Sequence, residues 1–399
     1  MKIIILVRIL WTAGAQKIAI NEARELQLMG NDVELIFLRG KNLKEYDELL
    51  KDINYKILSE NGNSMFSPLY QYITHRFMPD RGKESRVDYN LIRKFPNYIK
   101  NSQVDYLICH DQFAGLAGYY SFKRFRIPYS VFIHEKLSME RDTILKKLWH
   151  KFEHSILKNA TKVFSITEKI ARTVEEVHNV KTIANYPGMD INKITEFEKK
   201  ENALITVSTW DYGRKPTMYL DIIEEIPHFV LYFAGNFRIA NLEKQFKEEV
   251  KRRELEDRII MKQGINESEL IELYRKCKFV IRFGFGEYGL GTSSIEAIQN
   301  CDPLIINSNL GTADMIIKYS CGVVLEDINS DKVKEFIEAN NNKNSYDMLQ
   351  QNIIKLSKAY SWKNHVEKLL IPLNTNSDMM IPNKQLNFHF PSRNDKTKS

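Results

Sequence analysis

Short apolar runs alternate along the chain with stretches whose apolar residues recur every three or four positions. Lys2–Val7 reads as a buried strand. Ala15 to Met29 follows as a helix, with Ile18, Ala19, Ala23, Leu26 and Leu28 as its apolar positions. Gly30-Asn31 ends it, and Val33–Phe37 is the next strand. Further strands are expected at Asp105–Cys109, Tyr129–Ile133 and Val163–Ile166. A second series runs through Leu204–Ser208, Phe229–Ala234, Arg258–Met261, Phe279–Phe283, Pro303–Asn307 and Val323–Leu325. Near-continuous apolar strands separated by amphipathic helices predict parallel sheets covered on both faces. Two such series predict an α/β protein of two doubly wound, Rossmann-like domains whose parallel sheets face a central crevice. Ligands of such sheets bind beyond the C-terminal ends of the strands, so the crevice is the expected site.

The domain boundary is expected near 187–203, where Pro187-Gly188 signals a turn and Ile194–Asn202 is charged and irregular. The expected division is 1–193, 194–355, a terminal helix over 356–373 and a mobile tail over 374–399. Residues 60–90 read as an irregular, basic excursion of the first domain. The 399 residues suit two domains of ordinary size. No run approaches 18 apolar residues, which excludes a membrane-spanning helix, and the N-terminal apolar run is too short for a signal-peptide core. Cys109, Cys277, Cys301 and Cys321 are scattered without metal spacing, so a reducing, cytoplasmic compartment is expected.

Charge changes the picture in one respect. The net charge is +7, but residues 1–193 carry +8 and residues 194–399 carry −1. The first half is therefore expected to face something anionic. No nucleic-acid module is present, so nucleic acid is not an expected partner. Leu145 to Lys162 is a basic amphipathic stretch, and Lys123, Arg124 and Arg126 lie beside aromatics. Both could touch an anionic membrane peripherally, at its inner face, or form an ordinary solvated helix face.

Three segments carry candidate chemistry. In Phe283–Ala297 a strand runs into a glycine-rich loop and then a helix starting near Ser293. Glycines let backbone N–H groups approach a ligand, and the helix N-terminus favours phosphate. Glu287 at the loop can reach sugar hydroxyls, and Glu296 in the first helical turn can accept from a ribose diol. Tight strand-to-helix packing is the alternative reading of the same glycines. Val207–Pro216 follows the first strand of the second domain and holds Arg214 and Lys215, placed to neutralise a diphosphate leaving group. An exposed basic turn is the alternative there. Trp11–Gln16 joins the first strand to the first helix through small residues. His110 and His134 each lie at the end of an expected strand. His150 and His154, one helical turn apart, read as a helix face rather than a metal site. No paired aspartates stand at a strand end, so no metal and no cofactor is expected.

These segments, in this order, resemble the retaining glycosyltransferases of family 4, which have the two-domain GT-B fold. The resemblance runs over most of residues 1–372. It includes Ala13-Gly14-Ala15-Gln16, Val104–His110, Arg126–Glu135, Tyr186-Pro187-Gly188-Met189-Asp190, Thr209–Lys215, Ala234-Gly235-Asn236, Glu296–Ile305 and Tyr360-Ser361-Trp362. It implies donor contacts at Gly14, Ala15, Thr209, Gly235, Asn236, Gly289, Leu290, Gly291, Thr292 and Glu296. It implies His134, Arg214, Lys215 and Glu287 in catalysis, with His110 toward the acceptor. The last helix is implied to cross back to the first domain. Eight residues separate Glu287 from Glu296, one more than is usual in the family, which aligns Tyr288 with the usual glutamate. Thr209 stands where the family has its first diphosphate-binding arginine. The implied activity is metal-independent transfer of a sugar, usually a hexose, from a nucleotide-diphosphate sugar to a glycan or lipid-linked acceptor. Such transfer serves polysaccharide, glycolipid or glycoprotein glycan assembly. A non-catalytic scaffold subunit of this fold, or another sugar-nucleotide enzyme such as an epimerase, stays open beside it.

Overall fold

The computed structural model describes residues 1–10, 14–40, 47–59, 89–135, 144–285 and 289–374. The expected basic excursion falls almost wholly outside them, as does the tail beyond 374. The first sheet contains β1 (Lys2–Leu10), β2 (Asp32–Gly40), β3 (Tyr55–Ile57), β4 (Tyr106–His110), β5 (Tyr129–Ile133), β6 (Lys162–Ser165) and β7 (Thr182–Ala184). Its strands are all parallel, in the order β3-β2-β1-β4-β5-β6-β7. The second contains β8 (Glu201–Val207), β9 (Val230–Ala234), β10 (Ile259–Lys262), β11 (Cys277–Arg282), β12 (Leu304–Asn307) and β13 (Gly322–Leu325). Its order is β10-β9-β8-β11-β12-β13, again all parallel.

Helices α1 (Gly14–Leu28), α2 (Asp47–Leu50), α3 (Tyr89–Ile99), α4 (Asp111–Phe125), α5 (Ile144–Asn159) and α6 (Glu168–His178) serve the first sheet. The second is served by α7 (Met218–Glu225), α8 (Ala240–Arg252), α9 (Glu267–Lys276), α10 (Thr292–Gln299), α11 (Ala313–Tyr319), α12 (Ser330–Asn340) and α13 (Lys343–Ala359), and α14 (Trp362–Asn374) closes the chain. Among the described residues, no helix is long and apolar enough to cross a membrane.

The central strands are buried along most of their length because both faces are covered. Ile3 to Val7 and Cys277 to Arg282 have no exposed member. In each sheet the strand order reverses beside the first strand, between β1 and β4 and between β8 and β11. The loops leaving those strands part at these points and open a cleft. Two expectations need correction. The sequence reading missed β3 and β7, which are three-residue edge strands. Leu28, read as part of the apolar face of α1, is 76% exposed because it sits on the last residue of the helix.

The linker and the last helix form one seam. The Met189 amide donates to the Tyr360 carbonyl at 2.8 Å, and Asn185 Nδ2 donates to the His365 carbonyl at 3.1 Å. Gly188 faces the Trp362 ring so closely that a Cβ would lie 2.2 Å from it. Helix α14 packs against α1, in the first half of the chain. Gly235, just past β9, has φ +104°, and a Cβ there would meet the Ser208 carbonyl oxygen at 1.8 Å. Gly235→Ala is therefore expected to destabilise the protein by at least about 2 kcal/mol. Urea denaturation checks this, and an unchanged midpoint would refute the strain.

Candidate active site

The described residues singled out for the donor and for catalysis lie at or just beyond the C-terminal end of a strand, or on the helix that follows one. Gly14 and Ala15 open α1, and Gly14 is exposed. Thr209 is exposed beyond β8. Arg214 ends a single turn of 3₁₀ helix, and Lys215 follows in the left-handed region at φ 44°. The Lys215 ammonium sits 4.8 Å from the centre of the Phe285 ring, so the β8 and β11 loops touch through a cation–π contact. Asn236 is anchored: its Oδ1 accepts from the Gly264 amide at 2.9 Å and its carbonyl from the Trp210 amide at 2.9 Å. Its side chain therefore shapes the loop rather than pointing freely into the cleft.

Beyond β11, the side-chain amide of Asn307 clamps Gly284, donating to its carbonyl and accepting from its amide. Glu287, with its neighbour Tyr288, lies outside the described residues. Gly289 is half-buried and its carbonyl accepts from the Gly311 amide. Leu290 is buried, and Gly291, at φ +67°, is the N-cap of α10. Thr292 is the exposed first residue of that helix. Ser294 Oγ, in the first turn, is buried without a hydrogen-bond partner among the described residues. An unpaired buried hydroxyl beside a helix N-terminus is a cost that an anionic ligand would remove.

Glu296 is half-buried and is the fifth residue of α10, just past the first turn in which it was expected, because the helix already begins at Thr292. Tyr274 on α9 donates its hydroxyl to Glu296 Oε2 at 2.8 Å. Burial raises the Glu296 carboxyl above its ordinary range, opposed by the Tyr274 hydrogen bond and by Lys17 on α1. Lys17 also lies 3.8 Å from Glu267, at the start of α9, so α1 faces α9 of the second domain across the crevice. Lys169 on α6 donates to the carbonyls of Ser308 and Leu310 beyond β12, a second tie across the crevice.

The cationic side of the cleft holds a residue that sequence reading passed over. Arg282 ends β11 and is buried. Burial, then the proximity of Arg282, pull the Arg214 guanidinium below its ordinary range. Two guanidinium groups brought together in a partly buried site repel each other, and an anion between them would relieve the repulsion. A lone arginine in the otherwise apolar run Phe279–Phe283 was the available signal.

On the first-domain side, His110 is the last residue of β4 and His134 follows β5. Their rings stack, with centroids 5.0 Å apart, and His110 Nδ1 lies 2.8 Å from His134 Nε2. Burial, then the His110 ring, push the His134 imidazole well below the ordinary histidine range, so it is neutral at pH 7. His110 Nε2 bonds Glu22 Oε2 at 2.7 Å, and Glu22 Oε1 lies 2.7 Å from His365 Nε2 on α14. His365, which no sequence motif singles out, is buried in this network. Glu22 was also missed, although a carboxylate among Ile18, Ala19, Ala23 and Leu26 was its signal. His110, expected toward the acceptor, is 1% exposed and touches Glu22 and His134 rather than the open cleft.

The pair His150 and His154, expected to form a helix face, packs against His178 at the end of α6. The His150 and His178 rings stack at 4.5 Å and 20°, and Glu153 bonds His178 Nε2 at 3.0 Å. One nitrogen from each of His150 and His178 lies with a Glu153 oxygen inside 4.8 Å.

Comparison with known proteins agrees with this geometry. The family model for Glycosyltransferase Family 4 matches residues 12–193, and that for Glycosyl transferases group 1 matches residues 190–356. No curated protein sequence matches the chain. Among solved structures, Anabaena HepE in complex with UDP has a TM-score of 0.70 at 14% identity, covering 94% of this chain and 100% of that one. A glycosyltransferase from Rickettsia africae has a TM-score of 0.69 at 17% identity, covering 94% and 99%. Sucrose-phosphate synthase from Thermosynechococcus elongatus has a TM-score of 0.68 at 13% identity, covering 94% and 98%. With two adjoining family models over residues 12–356 and two parallel-sheet, Rossmann-like domains beneath them, the chain belongs to glycosyltransferase family 4 and has the GT-B fold.

Proposed function

We propose that this protein moves a sugar, with retention and without a metal, from a nucleotide-diphosphate sugar to a glycan or lipid-linked acceptor. The observation that carries the reading is the arrangement beyond β8 and β11. A carboxylate for a ribose, an unpaired hydroxyl at a helix N-terminus and the cations Arg214, Lys215 and Arg282 gather at one strand-order reversal. The solved structures of HepE with UDP and with UDP-glucose have the same fold, which supports a uridine nucleotide as the first donor to try.

In this reading Glu296 accepts from the ribose hydroxyls, and Tyr274 holds its other oxygen. Backbone groups at Gly235, Gly289, Leu290, Gly291 and Thr292 line the donor, with Thr209 and Asn236 at the loop rims. Gly14 and Ala15 approach the donor from the first domain, and Glu287 contacts the sugar. The bond between the anomeric carbon and the diphosphate oxygen breaks as negative charge grows on the leaving group, where Arg214 and Lys215 stabilise it. The acceptor oxygen bonds the anomeric carbon on the same face, and its proton passes to the departing diphosphate. His134 accepts a hydrogen bond from a sugar hydroxyl, and closure of the domains keeps water out. We place the protein in the cytoplasm.

A thermal-shift panel with UDP, GDP, ADP, CMP and their sugars tests the donor site. A nucleotide at 100 times its Kd stabilises the protein by about 2.7 kcal/mol. The expected result is a shift with one diphosphate nucleotide that Glu296→Ala weakens. No shift with any of them at millimolar concentration would sink the donor site.

A further inference from the structure

We propose that Glu22 and His110 are positioning residues that fix His134 as its Nε2–H tautomer, leaving Nδ1 as a hydrogen-bond acceptor toward the reacting sugar. The hydrogen-bond chain argues this one atom at a time. The Tyr186 carbonyl, 2.8 Å from His365 Nδ1, can only accept, so that nitrogen carries a hydrogen. Glu22 is fully buried, and burial alone would raise its carboxyl, but the hydrogen bonds from the His110 and His365 rings hold it ionised. An ionised Glu22 accepts at both oxygens, so His365 Nε2 also carries a hydrogen and that ring is a cation. One buried carboxylate is then matched by one buried cation. A second cation at His110 would leave a net buried charge. His110 is thus neutral, donates from Nε2 to Glu22 and offers its Nδ1 lone pair to His134. The Nε2 of His134 must donate to it. A neutral His134 then has a bare Nδ1, and that atom is shielded from solvent without a partner among the described residues.

The other charged group acting on His134 is Arg8 of β1, which lies 3.1 Å from Asp111 and over the Phe113 ring. Its positive charge further disfavours a proton on His134. The Phe132 ring stacks on both histidines, at 5.5 and 4.9 Å, and keeps them in register. His365 comes from α14, so the last helix must be seated for the chain of bonds to be complete.

The inference rests on the donor reading above for the identity of the group that Nδ1 meets, but its first test needs no substrate. Protein labelled with ¹⁵N-histidine reports which ring nitrogens carry hydrogen, and His134→Gln assigns the resonance. In the unsubstituted protein His134 is expected as a single Nε2–H tautomer. Glu22→Leu fills the same apolar stripe and removes the acceptor, so His134 should then show both tautomers. His110→Phe keeps the ring stack and removes the acceptor nitrogen; the same mixing is expected if Glu22→Leu fails to fold. A hydrogen on Nδ1 of His134 in the unsubstituted protein, or an unchanged tautomer in either folded variant, overturns the proposal. With a donor in hand, Glu22→Leu should lower kcat by roughly 10- to 100-fold and leave the donor KM within about threefold. Equal kcat would overturn it. Failure of every nucleotide to bind would instead remove the donor reading and leave the tautomer result standing.

Discussion

Arg214→Ala and Lys215→Ala are each expected to lower kcat for glycosyl transfer on the order of 10²–10³-fold, with a much smaller change in the donor KM. The asymmetry follows from where charge appears. The donor already carries its diphosphate charge in the ground state, so part of the attraction is uniform binding. The extra negative charge develops only as the bond to the anomeric carbon breaks, and that part acts on kcat. Arg214 is half-buried and repelled by Arg282, so its interaction with an anion is not diluted by water as a surface pair would be. Lys215 is exposed, but the Phe285 ring and a left-handed backbone hold it over the cleft. Steady-state transfer assays with the donor identified by thermal shift check both. A kcat within about threefold of the unsubstituted protein for both variants would mean that the leaving group is stabilised elsewhere.

Lys200→Met is expected to cost about 3–5 kcal/mol of stability, because it strands a buried carboxylate. Lys200 Nζ lies 2.6 Å from Asp302 Oδ1 and also donates to the carbonyls of Tyr274 and Cys277. Both side chains of the pair are fully buried, and Asp302 Oδ2 has no partner among the described residues. Burial pushes the Asp302 carboxyl up to about 7 even though Lys200 opposes the shift. The native state therefore holds a proton on Asp302 more tightly than the unfolded chain does. Stability from this group is greatest below about pH 4, falls as pH rises toward 7 and levels off above it. Removing Lys200 extends that fall to higher pH, so the loss should be larger at pH 8 than at pH 5. Urea denaturation at the two pH values measures it. Adding Asp302→Asn to Lys200→Met should return most of the loss, since the stranded charge is gone. Equal midpoints for Lys200→Met and the unsubstituted protein would show that the pair is not what holds α9 and β11 to the start of β8.

Much of this protein was legible in one dimension. Every strand expected from an apolar run has its counterpart, because a parallel strand covered on both faces must be apolar throughout and no helical stripe looks the same. Strand-order reversal beside β1 and β8 then sends the loops after them toward the crevice. That is why Arg214, Lys215, Gly291 and Glu296, which follow β8 and β11, lie on one side of the crevice. The three-residue edge strands β3 and β7 escaped because an edge strand needs little burial and leaves little pattern.

Other features needed the third dimension. Asn236 and His110 sit where expected, yet one is anchored in its loop and the other is closed off from solvent. Arg282 looked like part of a strand until the fold set it beside Arg214. The largest surprise is the meeting of Glu22 with His110 and His365, which are 88 and 343 residues away along the chain. Periodicity is a local property and reports which face of a helix is buried. It does not report which buried polar group meets which. That choice was made when α14 crossed back onto α1, and only the packed structure contains it.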